Sequence, residues 1–287
     1  MARRRPRAPL TDAVGLHADP RPIGVFDSGV GGLTVLAELR RRLPAESTIY
    51  LGDNARAPYG PRSAEEVRSF TLASAAWLLA QEVKVLVLAC NTATSHALPL
   101  VRELASVPVL GVVRPGALAA AASTRAGHVG VIATAGTVAS GAYAVAVGEA
   151  DPALIVTQVA CPQLVPLVEA GELSGPVADA AVRGYLEELF EADGEIDTLL
   201  LGCTHYPLLR PLIQEVAGSL VAVVDSAFTT ALAVEDLLDA LGGRAAFVRP
   251  GGNRIATTGD VDAFERVAST VFGASLPSVE HVTVSAD

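Results

Sequence analysis

The sequence predicts an α/β protein of two pseudo-symmetric, three-layer domains with mainly parallel sheets. Two stretches, VKVLVLACNTAT and IDTLLLGCTHYP, are each typical of a buried strand, and they end at Cys90 and Cys203. Two strand–turn–helix starts, IGVFDSGVGGLTV from Ile23 and VGVIATAGTVASG from Val129, repeat with nearly the same offset as the cysteines. This paired repeat predicts two similar domains with the active site at their interface.

Two breaks in the pattern give the expected domain boundaries. The segment RPG at 114–116 interrupts the first half, and Asp225-Ser226 offers a return to it. The prediction is a disordered, arginine-rich leader over 1–21, a first α/β domain over 22–113 plus 226–287, and a second over 114–225. Asp27 and Cys90 then belong to the first domain, and Cys203 and His205 to the second.

The expected elements follow the alternation of apolar runs with Gly- or Pro-containing turns. In the first half they are a strand over Ile23–Phe26, a helix from Leu33, a strand over Thr48–Leu51, a helix from Ala64 to Gln81, the cysteine strand and a strand over 106–113. In the second half they are a strand over Val129–Ala133, a strand leading to Cys161, a helix over 176–193, the second cysteine strand, a helix from Pro211 and the strand LVAVVDSA. The chain then gives a helix over Thr229–Leu241, a strand over Ile255–Thr258 and a helix over Val261–Val271, and we expect the residues after Pro277 to be loosely attached.

The bulk composition limits the class of protein. The 287 residues are enough for two ordinary domains, and 51% hydrophobic residues exclude disorder for most of the length. The formal net charge of −10 argues against nucleic acid as the main partner. Because no apolar run reaches bilayer-spanning length and no signal sequence is evident, we expect a cytoplasmic protein with no membrane partner.

Polar side chains follow the predicted strands at the edge where open α/β sheets bind ligands. Asp27 and Ser28 come after the first strand, and Asn91 and Thr92 follow Cys90. The glycine-rich turn after Asp27 offers backbone N–H groups for an anion, but its spacing is not the dinucleotide fingerprint. The turn is therefore a candidate anion site for a phosphate or a carboxylate.

Two thiols facing one ligand allow four kinds of chemistry: a disulfide, a metal site, a nucleophile with a helper, or a pair of proton-transfer groups. Cys90, Cys203, His205 and Asp27 could together supply metal ligands. Pyridoxal phosphate chemistry is disfavoured because the one lysine, Lys84, begins a buried strand. As thiolates, two opposed thiols could remove a proton from one face of a carbon and return one to the other, which inverts a stereocentre.

Four blocks in this order, FDSGVGGLTV, YLGDNARAPYG, LACNTAT and LLLGCTHYPLL, resemble the glutamate racemase family of the aspartate/glutamate racemase superfamily. The resemblance implies that Cys90 and Cys203 are the two bases, assisted by Asp27 and His205 respectively. It implies substrate contacts from Asp27, Ser28, Tyr59, Gly60, Asn91, Thr92, Thr204 and His205. It also implies no cofactor and no metal, glutamate as the substrate, D-glutamate for peptidoglycan as the product, and a homodimer.

Other interpretations stay open beside this one. A related aspartate racemase or isomerase, or a non-catalytic binding or regulatory protein, would share parts of the pattern. Glu169 is either a solvated helix charge or a partner of His205, and we expect Cys161 to be structural. Arg114 stands where members of the family often carry an acidic residue; its place at the expected hinge suggests an effect on domain closure rather than on the reaction.

Overall fold

The computed structural model describes residues 18–247, 252–272 and 278–285, so most of the predicted leader lies outside the described residues. The strands are β1 Ile23–Asp27, β2 Thr48–Gly52, β3 Val85–Leu88, β4 Val109–Gly111, β5 His128–Ala133, β6 Ile155–Ala160, β7 Thr198–Gly202, β8 Ala222–Asp225, β9 Asn253–Thr257 and β10 Val279–His281. The helices are α1 Leu33–Arg42, α2 Ala64–Leu79, α3 Asn91–Leu104, α4 Val113–Ser123, α5 Ala135–Ser140, α6 Ala142–Ala150, α7 Leu164–Glu169, α8 Pro176–Ala192, α9 Arg210–Ala217, α10 Ser226–Leu241 and α11 Val261–Phe272.

The strands form two parallel sheets. The larger sheet has six strands in the order β10-β9-β2-β1-β3-β4, and the smaller has four in the order β6-β5-β7-β8. Phe26 of β1 pairs with Leu51 on one side and Leu88 on the other. In the same way Ala133 of β5 pairs with Ala160 and Gly202.

Four strands of the larger sheet, in the order β2-β1-β3-β4, correspond one to one with the strands β6-β5-β7-β8 of the smaller sheet. The two sheets therefore share one topology. Cys90 follows β3 and Cys203 follows β7, which occupy matching places beside the central strands β1 and β5. The predicted two-part α/β fold with parallel sheets is therefore confirmed. The first sheet differs by adding β9 and β10 beyond β2.

Helices cover both faces of each sheet because the strands are apolar on both sides. In the first half, α1, α10 and α11 pack on one face and α2 and α3 on the other. In the second half, α4 and α6 cover one face and α7, α8 and α9 the other. Each half is thus three layers thick. Within the described residues, no helix is both long and apolar enough to cross a bilayer.

Two expectations about the chain's local structure are wrong. The described residues after Pro277, 278–285, are not loosely attached throughout: β10 extends the first sheet by pairing Val279 with Ile255 of β9. The RPG segment also does not break the chain, since Pro115 lies in the first turn of α4, where a missing N–H costs no hydrogen bond. The preceding strand is accordingly shorter than predicted, ending at Gly111.

Candidate active site

A cavity of about 470 Å³ lies between the carboxyl ends of the two sheets. Its wall is built from both halves of the chain, as expected for a site at a domain interface. The predicted site residues in this wall are Ser28, Tyr59, Gly60, Cys90, Asn91, Thr92, Cys203, Thr204 and His205. Both cysteines therefore border the same cavity.

Cys90 lies at the junction of β3 and α3. It is the N-cap of α3, and its sulfur accepts a hydrogen bond from the backbone N–H of Ala93 at 3.4 Å. The hydroxyl oxygen of Ser28 lies 3.3 Å from the same sulfur. Only 6% of the Cys90 side chain is exposed. Burial, with the charge of Asp27 as the next cause, raises the pKa of Cys90 to about 12.

Cys203 has a different set of neighbours. Its sulfur lies 3.8 Å from Nδ1 of His205, and Nε2 of that imidazole lies 3.1 Å from Oε1 of Glu169. Burial acts to lower the pKa of His205, but the hydrogen bonds with Cys203 and Glu169, helped by the charges of Cys203 and Asp27, raise it to about 10. The contacts on both sides of the ring, with the sulfur of Cys203 and the carboxylate of Glu169, therefore favour the imidazolium form of His205.

Asp27 is fully buried behind the cavity wall rather than part of it. Its carboxylate accepts the backbone N–H of Gly29 at 2.9 Å and the hydroxyl of Thr204 at 3.4 Å. Burial raises the pKa of Asp27, and the charge of His205 opposes that shift. In the described structure Ser28, not Asp27, makes the hydrogen-bonding contact to Cys90, and Asp27 acts on that thiol through its charge.

Polar contacts join the two halves around the cavity. The hydroxyls of Thr92 and Thr134 are 2.9 Å apart, and the N–H of Gly136 donates to the carbonyl of Gly60 at 3.0 Å. Thr34 donates its hydroxyl to the carbonyl of Thr204 at 3.1 Å. These contacts fix how closely the two strand ends approach each other.

Several cavity residues were not among the predicted site residues. Glu169 was considered only as an alternative partner of His205, and the structure gives it that contact. Cys161 also borders the cavity although it is fully buried. The remaining residues in the wall are Gly29, Ala57, Pro58, Pro61, Thr134, Ala135, Pro162, Val165 and Pro166.

The arrangement places the thiols of Cys90 and Cys203, the imidazole of His205 and several hydroxyl and amide groups around a space of small-molecule size, with the buried thiol of Cys161 as a third sulfur in the wall. In the described part of the chain, no group of three or more His, Cys, Asp or Glu side chains has the geometry to hold a metal ion. A charge on Cys203 raises the pKa of Cys90, so one thiolate makes a second one harder to form. This coupling favours opposite protonation states for the two thiols.

A sequence profile for the Asp/Glu/Hydantoin racemases matches residues 23–234 of this chain. The chain belongs to this racemase family. Within the family it is 50% identical over 254 residues to the glutamate racemase of Oceanobacillus iheyensis, covering 88% of this chain and 92% of the relative. The resemblance predicted from the four sequence blocks is thereby confirmed.

Solved structures of the racemase family share the fold. The glutamate racemase of Bacillus anthracis has a TM-score of 0.87 and 44% identity, covering 92% of this chain and 97% of the other. The glutamate racemase of Francisella tularensis, solved with D-glutamate, has a TM-score of 0.85 and 34% identity, covering 92% and 98%. In this family member Arg114 is exposed in the first turn of α4 and is not part of the cavity wall.

Proposed function

We propose that this protein interconverts L- and D-glutamate by a two-base mechanism in which Cys90 and Cys203 are the bases. The observation that carries the proposal is that both thiols, delivered by equivalent strand ends of two similar sheets, border one cavity. Inversion at a carbon needs a proton acceptor on one face and a donor on the other. A pseudo-symmetric pair of thiols supplies both.

In one direction, a thiolate removes the Cα proton of glutamate. The S–H bond forms as the C–H bond breaks, and the electron pair stays on the carbon as a carbanion beside the α-carboxylate. The opposite thiol then gives its proton to the other face of that carbon and becomes a thiolate. The enantiomer leaves with the two cysteines in reversed protonation states, and the reverse reaction restores them.

The two thiols have different neighbours, and we assign each neighbour a role at the thiol it lies beside. We assign His205 to Cys203, where an imidazolium stabilises the thiolate and can return a proton. Ser28 is assigned to Cys90 through direct contact, and Asp27 is assigned to the same thiol because its charge favours the protonated form, which donates the proton. Glu169 keeps His205 protonated by its contact with Nε2.

Polar groups in the wall match the charged ends of an amino acid. Oδ1 of the buried Asn91 makes no hydrogen bond in the described structure, which suits it to accept from the substrate ammonium group. The hydroxyls of Ser28, Thr92 and Thr204 and the Tyr59-Gly60 segment are assigned to the carboxylates. Every proton transfer in this scheme uses groups of the chain itself, so the proposal includes neither a cofactor nor a metal.

The biological setting is part of the proposal. We assign the product, D-glutamate, to peptidoglycan synthesis and so to cell-wall biogenesis and cell shape, and we place the protein in the cytoplasm as a homodimer. The similarity to glutamate racemases over most of the chain supports this assignment. We also keep the predicted domain boundaries, after residues 113 and 225. Light scattering on the purified protein tests the dimer directly.

The decisive experiment is turnover in deuterium oxide without added pyridoxal phosphate. We expect L- and D-glutamate to interconvert, with solvent deuterium entering at Cα. Aspartate, tested in parallel, is expected to react far more slowly. Glutamate that stays optically pure and unlabelled while aspartate is inverted would refute the substrate assignment, and loss of activity with a chelator would refute the metal-free mechanism.

A further inference from the structure

Tyr143, on α6, is a buried side chain that contacts residues next to both cysteines. Asn91 Nδ2 donates a 2.6 Å hydrogen bond to the Tyr143 hydroxyl, and Asn91 directly follows Cys90. At the other end, a Cβ at Gly202, which directly precedes Cys203, would lie 2.8 Å from Tyr143 Cε2. The tyrosine ring therefore packs on the strand that carries one thiol while its hydroxyl holds the helix that carries the other.

The hydroxyl of Tyr143 is the only described hydrogen-bonding partner of the Asn91 amide group. Asn91 is 2% exposed, and its Oδ1 has no partner. The terminal torsion of asparagine is broad and roughly two-fold, so an amide without a partner can turn either its oxygen or its nitrogen to a ligand. With Nδ2 committed to Tyr143, the oxygen is the end of the amide left without a partner.

Tyr143 itself does not border the cavity, and it is fully buried. Its hydroxyl thus links the first turn of α3 to the helix α6.

We propose that Tyr143 is a positioning residue that holds the Asn91 amide with its oxygen toward the substrate and sets the approach of the two thiol-bearing strand ends. The inference rests on the proposed function, because Asn91 is assigned there to the substrate ammonium group. It predicts that the hydroxyl of Tyr143 acts on glutamate binding through Asn91, without contacting glutamate.

The test is a double-mutant cycle on glutamate racemisation with Tyr143→Phe and Asn91→Ala. Tyr143→Phe keeps the ring that packs on Gly202 and removes only the hydroxyl. We expect it to raise the KM for glutamate about tenfold, the usual effect of losing one buried hydrogen bond, with a smaller change in kcat. In the Asn91→Ala background the same change should alter KM by less than about twofold, because the partner is already gone.

The matched control is Tyr185→Phe, which removes a half-buried hydroxyl in the same half that accepts from the backbone N–H of Gln163. We expect its KM to equal that of the wild type. The inference is overturned if Tyr143→Phe has the KM of the wild type, or if this change alters KM equally with and without the Asn91 side chain. As long as the wild-type enzyme racemises glutamate, either result leaves the proposed function intact. Wild-type enzyme that fails to racemise glutamate overturns both.

Discussion

Oε1 of Glu169 lies 3.1 Å from Nε2 of His205. The carboxylate is 40% exposed and the imidazole 7%, so the pair connects a buried group beside Cys203 to the solvent side of the cavity. A carboxylate in this position favours the protonated imidazole. The charge of His205 is therefore set partly by a residue far away in the sequence.

Replacing Glu169 with Gln tests this relationship. Because Glu169 is one of the groups that raise the pKa of His205, its loss should lower that pKa from about 10. We expect the alkaline limb of the kcat/KM profile for glutamate to move to lower pH, with kcat/KM at neutral pH reduced about tenfold. Glu172→Gln is the control, since it removes an exposed carboxylate three residues along; the same alkaline shift in both variants would contradict the assignment.

Protein stability should also depend on the charge of His205. Its pKa is raised from 6.5 to about 10, so the folded protein holds a proton that the unfolded chain releases in this range. That contribution is complete below pH 6.5 and is lost as the pH rises through 10. Urea unfolding should show the free energy of unfolding falling over this range, with a shallower fall in His205→Asn. Identical slopes for the two proteins would argue against a raised pKa.

The thiols of Cys90 and Cys203 should each be required for inversion. We expect Cys90→Ala and Cys203→Ala to reduce interconversion of glutamate by at least roughly 10²–10⁴, the range for loss of one acid–base group. Cys161→Ala is the comparison: burial raises the pKa of Cys161 well above its usual value, and its thiol donates to the carbonyl of Val159. This variant should keep inversion and lose only about 1–2 kcal/mol of stability. A Cys90 or Cys203 variant with wild-type turnover would exclude the two-thiol mechanism.

The glycine-rich turn approaches the second half too closely for a larger residue at Gly31. A Cβ there would lie 2.4 Å from the hydroxyl oxygen of Thr204 and 2.5 Å from the ring of His205. We expect Gly31→Ala to displace the residues after Cys203 and to lower kcat/KM about 100-fold. The control is Gly184→Ala in α8, where a Cβ meets nothing within 4 Å, so activity should stay normal and stability should rise by up to ~1 kcal/mol. Normal activity in Gly31→Ala would show that the turn can relax.

Asp53 supports the loop that carries Tyr59 and Gly60. Its fully buried carboxylate accepts from the Tyr59 hydroxyl, from Nε of Arg56 at 2.7 Å and from the Thr258 hydroxyl at 2.6 Å. Asp53→Ala leaves these donors unpaired, so we expect a loss of about 3 kcal/mol in the free energy of unfolding and a raised KM for glutamate. Denaturant titration with steady-state kinetics checks both; an unchanged KM would mean that the loop holds its place without Asp53.

The sequence predicts those parts of the site that are determined by residues close together in the chain. Apolar runs ending at Cys90 and Cys203 fix two strand ends, and parallel pairing brings such ends to one edge whatever the loops do. The contact between Ser28 and Cys90 was not predicted. Successive side chains at a strand end point to opposite sides, and the sequence does not show which of the two neighbours, Asp27 or Ser28, faces the thiol. Ser28 faces the thiol, and Asp27 points back toward Gly29 and Thr204.

The contacts that escaped prediction are tertiary. Glu169 ends a short helix with no polar pattern that marks it, and only packing of α7 against the turn after Cys203 brings it to His205. The pairing of β10 with β9 was missed for a similar reason. Of its three residues only Val279 is apolar, so the pattern is too short and too weak to indicate a strand.

The sulfur of Cys90 also caps the N-terminus of α3. It accepts a hydrogen bond from the backbone N–H of Ala93, a role that a side-chain oxygen fills in most helices. A reagent that alkylates this thiol therefore removes the cap of α3 together with a base. The first turn of that helix contains Asn91 and Thr92, which are assigned to bind the amino acid. Loss of the cap therefore also weakens the positioning of these two residues. Covalent modification here disables recognition as well as proton transfer.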